Sequence, residues 1–162
     1  MNLRRSVRAV VLDEQDRILL CRSVITGPSG AIVMWAAPGR GIEAGETALA
    51  ALDRELREEV GLIIDEEPPH VWHQEVIDPA LAAGYDGVVN DYFLIRTASF
   101  RPRGSMSDGE LAAENIDGFR WWPRPDIAGY RGSDLFSPRD LAAPLTALIA
   151  GGVPAGPVPL GL

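Results

Sequence analysis

Three carboxylates lie close together in the segment Pro38 to Leu62, PGRGIEAGETALAALDRELREEVGL. On a helix turning about 100° per residue, Glu55, Glu58 and Glu59 fall within an arc of roughly 100°, beside an apolar face of Leu49, Leu52, Leu56 and Val60. Crowded carboxylates repel one another and weaken a helix, and divalent cations would neutralise them. Hard oxygen ligands with no Cys or His nearby select Mg²⁺, with Mn²⁺ as substitute, over Zn²⁺. The competing reading of the helix alone is a solvated face laced by Arg54–Glu58 and Asp53–Arg57 pairs. The lead-in favours the cation. Gly39, Gly41 and Gly45 let backbone groups approach an ion or phosphate closely, and the loop delivers Glu46 to the mouth of the helix.

The order Glu46, seven residues, Arg54-Glu55-Leu56, one residue, Glu58-Glu59, one residue, Gly61-Leu62 resembles the Nudix box of Nudix hydrolases, which cleave nucleoside diphosphates linked to another moiety. The match spans about twenty-three residues; elsewhere the agreement is loose, in strand order and in the segment Phe119 to Pro123. The resemblance implies an α/β fold, a Nudix-type α/β/α sandwich with a mixed β-sheet flanked by helices. It also implies roles: Glu55, Glu58 and Glu59 as metal-binding and catalytic glutamates, Arg54 as the arginine that orients them, and Gly39 as a backbone carbonyl in the metal shell. Glu46 matches the upstream glutamate and is placed with Arg40 on the substrate side. A further metal ligand is expected from outside the box, Glu114 first and Glu110 behind it. The implied reaction is Mg²⁺-dependent attack of water at phosphorus, with Glu55 as candidate base. Arg40 departs from the pattern, standing where the box has its first Gly. If φ there is positive, Arg costs roughly 1 kcal/mol or more. Its guanidinium either forks onto a substrate phosphate or is a solvated loop residue.

The elements that must position these groups are legible in outline. Ser6 to Leu12 and Arg17 to Arg22 read as an antiparallel hairpin across Asp13 to Asp16. Thr26 to Gly30 reads as a loop, Ala31 to Ala37 as a short apolar segment, and Gly39 to Gly45 as an irregular loop. Thr47 is the expected N-cap of a helix that Gly61 ends. Val71 to Ile77 and Val88 to Thr97 read as strands of a second hairpin, Asp108 to Glu114 as a short helical turn, and Gly118 to Trp122 as a strand. Ser137-Pro138 reads as N-cap and N1 of a last helix running to about Ile149. Residues 1–150 are then the expected Nudix hydrolase domain and 151–162 a Pro/Gly-rich C-terminal tail. The loops Ser23 to Ile32 and Asp78 to Gly87 are expected to decide the substrate.

Composition narrows the function further. A chain of 162 residues with 46% hydrophobic residues can close one core. The net charge of −8 sets the overall field against a broad nucleic-acid surface. All 15 basic residues are Arg, so every lysine-based mechanism is excluded. The single Cys21, in an apolar run, reads as buried and structural and suits a reducing compartment. Neither a signal peptide nor a membrane span is read, and a cytoplasmic location is expected. His70 and His73 would face opposite sides of a regular strand, which argues against a metal pair. Of Trp121 and Trp122, one should be core and the other at a sheet edge. The expected partner is a small nucleotide diphosphate, with a homodimer implied by the resemblance. The rivals are a Nudix-like module that binds nucleotide without turnover and a pyrophosphohydrolase of RNA 5′ ends. The latter would need a groove built from Arg22, Arg96, Arg101, Arg103 and Arg120.

Overall fold

Strand β1 (Leu3–Leu12) is apolar on both sides from Ala9 onward, and it occupies the middle of the sheet. Side chains alternate along a strand, so Val7, Ala9 and Val11 enter one core while Val10 and Leu12 enter the other. A strand buried on both faces reads as a continuous hydrophobic run, as this one does. The computed structural model describes residues 1–162. After β1 come β2 (Ile18–Gly27), β3 (Gly30–Ala36), β4 (Gly39–Gly41), α1 (Ala48–Glu59), β5 (His70–Val76) and β6 (Gly87–Arg96). The chain ends with α2 (Asp108–Ala113), β7 (Ile116–Trp122), α3 (Arg124–Ala128), β8 (Leu135–Ser137), α4 (Ala142–Gly151) and β9 (Val158–Leu160). The sheet order is β8-β3-β2-β1-β6-β5-β9, with β4 on β1 and β7 on β2. The pairs β1–β6, β3–β8 and β5–β9 are parallel and the others antiparallel, a mixed sheet.

The first hairpin forms at its turn and then opens. Asp13 ties the turn, accepting from the Gln15 and Arg17 amides and from Arg17 Nε. Leu12 opposite Ile18 is the paired position. Beyond it β4 takes the edge of β1 at Ser6, Val7 and Arg8, and β7 takes β2 from Ile18 to Ser23. A strand has two edges, and β6 holds the other side of β1, so β4 stands where β2 would have continued.

One helix seals each face. Ala51, Leu52, Leu56 and Val60 of α1 and its C-terminal boundary pack on Val7, Ala9, Val11 and Leu19, while Leu49 of the expected stripe is only half-buried. Full burial of a Leu is worth about 1.5–3 kcal/mol, which anchors the helix against the repulsion of its own glutamates. On the other face Leu145 and Leu148 of α4 meet Trp35, Trp72, Tyr92 and Trp122. Trp121 is half-buried and donates from Nε1 to the Phe100 carbonyl, so the two tryptophans divide between core and periphery.

Four expectations need correction. Ser137 ends β8, and the last helix begins five residues later at Ala142 because Phe136 is drawn into the core alongside Trp35. Thr26 to Gly30 is no open loop: β2 and β3 stay paired out to Gly27 and Gly30, so most of Ser23 to Ile32 is hairpin. Within the glycine loop, Gly39–Gly41 is strand β4. The tail after Gly152 returns as β9, beside Trp72, His73 and Gln74, and Gln74 Nε2 donates to the Gly161 carbonyl.

Candidate active site

Thr47 caps α1, its hydroxyl accepting from the Ala50 amide at 3.2 Å, and Gly61 ends the helix at φ +78°. With both ends fixed, α1 lays Glu55 and Glu59 into the protein and leaves Glu58 half-exposed. Arg54 is the hub. It grips Glu46 with Nε and Nη2 at 2.8 and 2.9 Å, donates from Nη1 to Glu55 Oε1 at 2.7 Å, and lies 3.6 Å from Glu58 Oε2. This two-pronged geometry is one that Arg, and not Lys, can supply. The arginine holds the Glu46 carboxyl down at about 2. Both Glu46 oxygens are engaged on Arg54, and Glu46 is absent from the cavity wall, so the residue expected on the substrate side instead braces Arg54.

Glu59 is almost wholly buried, and its Oε1 accepts from the Gly39 amide at 3.2 Å. Gly39 has φ +135°, and a Cβ there would come within 2.0 Å of the Val7 carbonyl oxygen. Only glycine lets β4 lie against β1 so closely. Burial raises the proton affinities of both Glu55 and Glu59, and the proximity of like charge adds to it.

Glu114 arrives from the other side. Ser107 and Glu110 form a reciprocal capping box on α2, and Asn115, at φ +66°, turns the chain into β7 just after Glu114. Glu110 is therefore engaged in capping, and Glu114 is the carboxylate that reaches the cluster, close enough to raise the proton affinity of Glu59. Arg40 pairs with Val7 in regular strand register and its φ is not positive. The strain foreseen for it does not arise, because Gly39 takes the unusual conformation. Nor is Arg40 a free surface residue: its Nη1 lies 2.6 Å from Glu114 Oε2, off the line of a hydrogen bond.

Two carboxylate oxygens remain buried without a partner, Glu55 Oε2 and Glu59 Oε2, while Glu114 Oε2 has only the Arg40 guanidinium beside it. Orphaned anionic oxygens in one cluster are costly unless a cation serves them. The donor set, all oxygen, fits Mg²⁺ or Mn²⁺. Beside it opens a cavity of about 880 Å³ whose wall includes Glu55, Glu58 and Glu114 and also Arg4, Arg5, Arg40 and Tyr85. Another cavity, of about 410 Å³, between the α1–β5 connection and β6, holds none of these glutamates. Sequence reasoning did not find Arg4 and Arg5. The doublet was visible, but nothing local showed that β1 would bring it beside β4 and α1.

The class defined by this sheet, this helix and this carboxylate cluster is a hydrolase built on an α/β sandwich. The sequence model of the NUDIX domain matches residues 2–142, and the chain belongs to the Nudix family of hydrolases. Among solved structures it is similar to a MutT NUDIX hydrolase from Burkholderia pseudomallei, with 22% identity, a TM-score of 0.61, and coverage of 88% of this chain and 96% of that one. A NUDIX hydrolase from Nitrosomonas europaea aligns at 18% identity with a TM-score of 0.66, covering 93% of this chain and 91% of that one. An ADP-ribose pyrophosphatase from Streptococcus suis aligns at 15% identity with a TM-score of 0.58, covering 98% of each chain. No curated protein sequence matches the chain. No helix is long and apolar enough to cross a membrane.

Proposed function

We propose that the protein is a Mg²⁺-dependent hydrolase that cleaves the diphosphate bond of a small nucleotide derivative by attack of water at phosphorus. The observation that carries this reading is the pair of orphaned buried carboxylate oxygens, Glu55 Oε2 and Glu59 Oε2, next to a cavity whose wall bears Glu55, Glu58, Glu114 and arginines. Glu58, Glu59 and Glu114, with the Gly39 carbonyl, would hold Mg²⁺, and Glu55 is left as the base. When bound, it polarises the phosphoryl oxygens and offsets charge on the leaving group.

The protein's own groups do the rest. Arg54 fixes Glu55 by Oε1 and leaves Oε2 free. That oxygen takes the proton from the attacking water as the new P–O bond forms. The bond from phosphorus to the bridging oxygen breaks, and its electron pair departs on that bridging oxygen with the leaving phosphate. Arg4, Arg5 and Arg40 face the negative charge of the diphosphate. Glu58, half-exposed on the cavity wall, stays within reach of Arg54, and Glu59 is held in place through Gly39.

The test is phosphate or pyrophosphate release with Mg²⁺ from nucleoside triphosphates, nucleotide sugars, dinucleoside polyphosphates and ADP-ribose, run beside Glu58→Gln. Turnover that the substitution abolishes supports the reading and gives the substrate class. Mg²⁺-dependent nucleotide binding with no turnover on any compound would move the protein to the binding module, with the Arg40–Glu114 pair as its cause. Four of the arginines needed for an RNA groove, Arg22, Arg96, Arg103 and Arg120, lie within ion-pair distance of Asp117, Asp16, Asp108 and Asp126. This pairing favours a small substrate over an RNA end.

A further inference from the structure

Strand β5 departs from regular register between His70 and Trp72 when paired with β6. In an unbroken strand, residues three apart face opposite ways, but an extra residue reverses the alternation. Val71 and Trp72 are consequently both buried, and Trp72 faces the α4 core with Tyr92. His70 and His73 emerge together on the opposite face, beside Asp91 of β6. The expectation that the histidines diverge is overturned by this bulge.

The three side chains converge on one point. His73 Nδ1 is 2.6 Å from Asp91 Oδ1, and His70 Nε2 is 3.0 Å from the same oxygen. The His70 contact is not aligned as a hydrogen bond, and its Nε2 is buried with no partner. One carboxylate oxygen thus faces two imidazole nitrogens, one of them unsatisfied. His70 stacks on Phe93 with centroids 4.9 Å apart, which fixes the plane of that ring. Arg5 Nη2 lies 3.8 Å from Asp91 Oδ2, its other oxygen.

We propose that His70, His73 and Asp91 form a second metal site, separate from the glutamate cluster, that takes a borderline divalent transition ion of the Zn²⁺ or Co²⁺ type. Two imidazole nitrogens and one carboxylate oxygen suit such an ion and are poor ligands for Mg²⁺. Around an ion with bonds of about 2.0–2.1 Å, tetrahedral ligand atoms stand about 3.3 Å apart. The observed 2.6 and 3.0 Å separations would widen by about 0.7 and 0.3 Å, and all three ligand atoms already lie within 4.8 Å of one another. The His side chains are 33% and 40% exposed, so solvent completes the coordination and the site keeps an open position. This inference does not depend on hydrolysis, because it concerns different residues and a different class of metal.

The test is titration of the purified protein with Co²⁺ alone, followed by its visible absorption, with Zn²⁺ then added as competitor. One equivalent should bind and be displaced by Zn²⁺. His73→Gln and His70→Gln should each weaken binding by more than the roughly 10- to 100-fold that loss of an outer partner costs. Glu58→Gln should leave the signal intact. Absence of uptake by the unmodified protein, or uptake that survives both His substitutions, would overturn the proposal. So would a signal lost in Glu58→Gln and kept in His73→Gln, which assigns the ion to the glutamates. Melting curves of the metal-free variants identify any that do not fold, and Asp91→Asn, close in shape to the native side chain, then provides the same comparison.

Discussion

Arg54 hydrogen-bonds Glu46 and Glu55 and lies within ion-pair distance of Glu43 and Glu58, and the site's geometry depends on that fork. Arg54→Ala should lower kcat/KM about 10- to 100-fold on whichever substrate the enzyme turns over, the range seen when an orienting partner is lost. Arg54→Lys should recover little of it, since an ammonium cannot hold Glu46 by two bonds while reaching Glu55. Steady-state kinetics on both variants checks this. Arg40 acts in the opposite sense, because its charge sits against Glu114 where a cation would be useful. Arg40→Gly should strengthen Mg²⁺ binding, read as a larger Mg²⁺-induced rise in melting temperature. The backbone cost of that change is about 0.5–1 kcal/mol, the ordinary penalty for Gly in a strand. The convergence of Glu55, Glu58 and Glu59 was legible because spacing along one helix fixes relative direction. The engagement of Glu46 and the pairing of Arg40 were not, since each depends on where a second chain segment comes to rest.

At the level of elements, β4 shows how three residues can govern a site. Gly39→Ala should destabilise strongly: the φ alone costs of order 1–3 kcal/mol, and the new Cβ would collide with the Val7 carbonyl as well. Gly45→Ala is the matched control, with φ +81° and nothing within 4 Å, so it should show the conformational cost alone. Denaturant melts of the two variants separate the terms. Leu52→Ala, beneath α1, should cost about 2–5 kcal/mol and loosen the whole glutamate face. α1 was readable because period, N-cap and terminal glycine all agree. The short strands β4 and β8 gave no pattern of their own, and they exist because longer neighbours present open edges. Ser137-Pro138 carried a genuine helix-start signal that tertiary packing of Phe136 overrode. The bulge at His70 to Trp72 is likewise a property of the pairing with β6, which the local sequence does not encode.

Taken whole, the molecule has two cores back to back across one sheet and a third small cluster that encloses Cys21 with Leu111 and Ile116. Burial pushes the Cys21 thiol well above its ordinary range. Thiolate is the reactive form, so an alkylating reagent at mildly alkaline pH should leave the folded protein unmodified and label it fully in denaturant. Mass spectrometry of the two reactions checks it. The edge of the sheet at β5 is covered by β9, and removal of residues from Val158 onward should expose that edge and promote self-association, measurable by light scattering. Most of the core was visible in the hydrophobic runs. The return of β9 was hidden in a segment whose Pro and Gly content resembles a loose end.

The parallel pairing of β1 with β6 joins Leu3 to Gly87 and continues in register to Leu12 and Arg96. During synthesis at roughly 5–20 residues per second, the central strand therefore waits several seconds for the segment that will lie beside it. Over that interval Val7, Ala9, Val10 and Val11 are an apolar, β-prone stretch without its main neighbour. Contacts so distant along the chain also slow the final search, since the loop must close before it is rewarded. The nascent chain is thus exposed to aggregation through β1 until β6 emerges, and holding chaperones that bind this strand should raise the yield of folded protein.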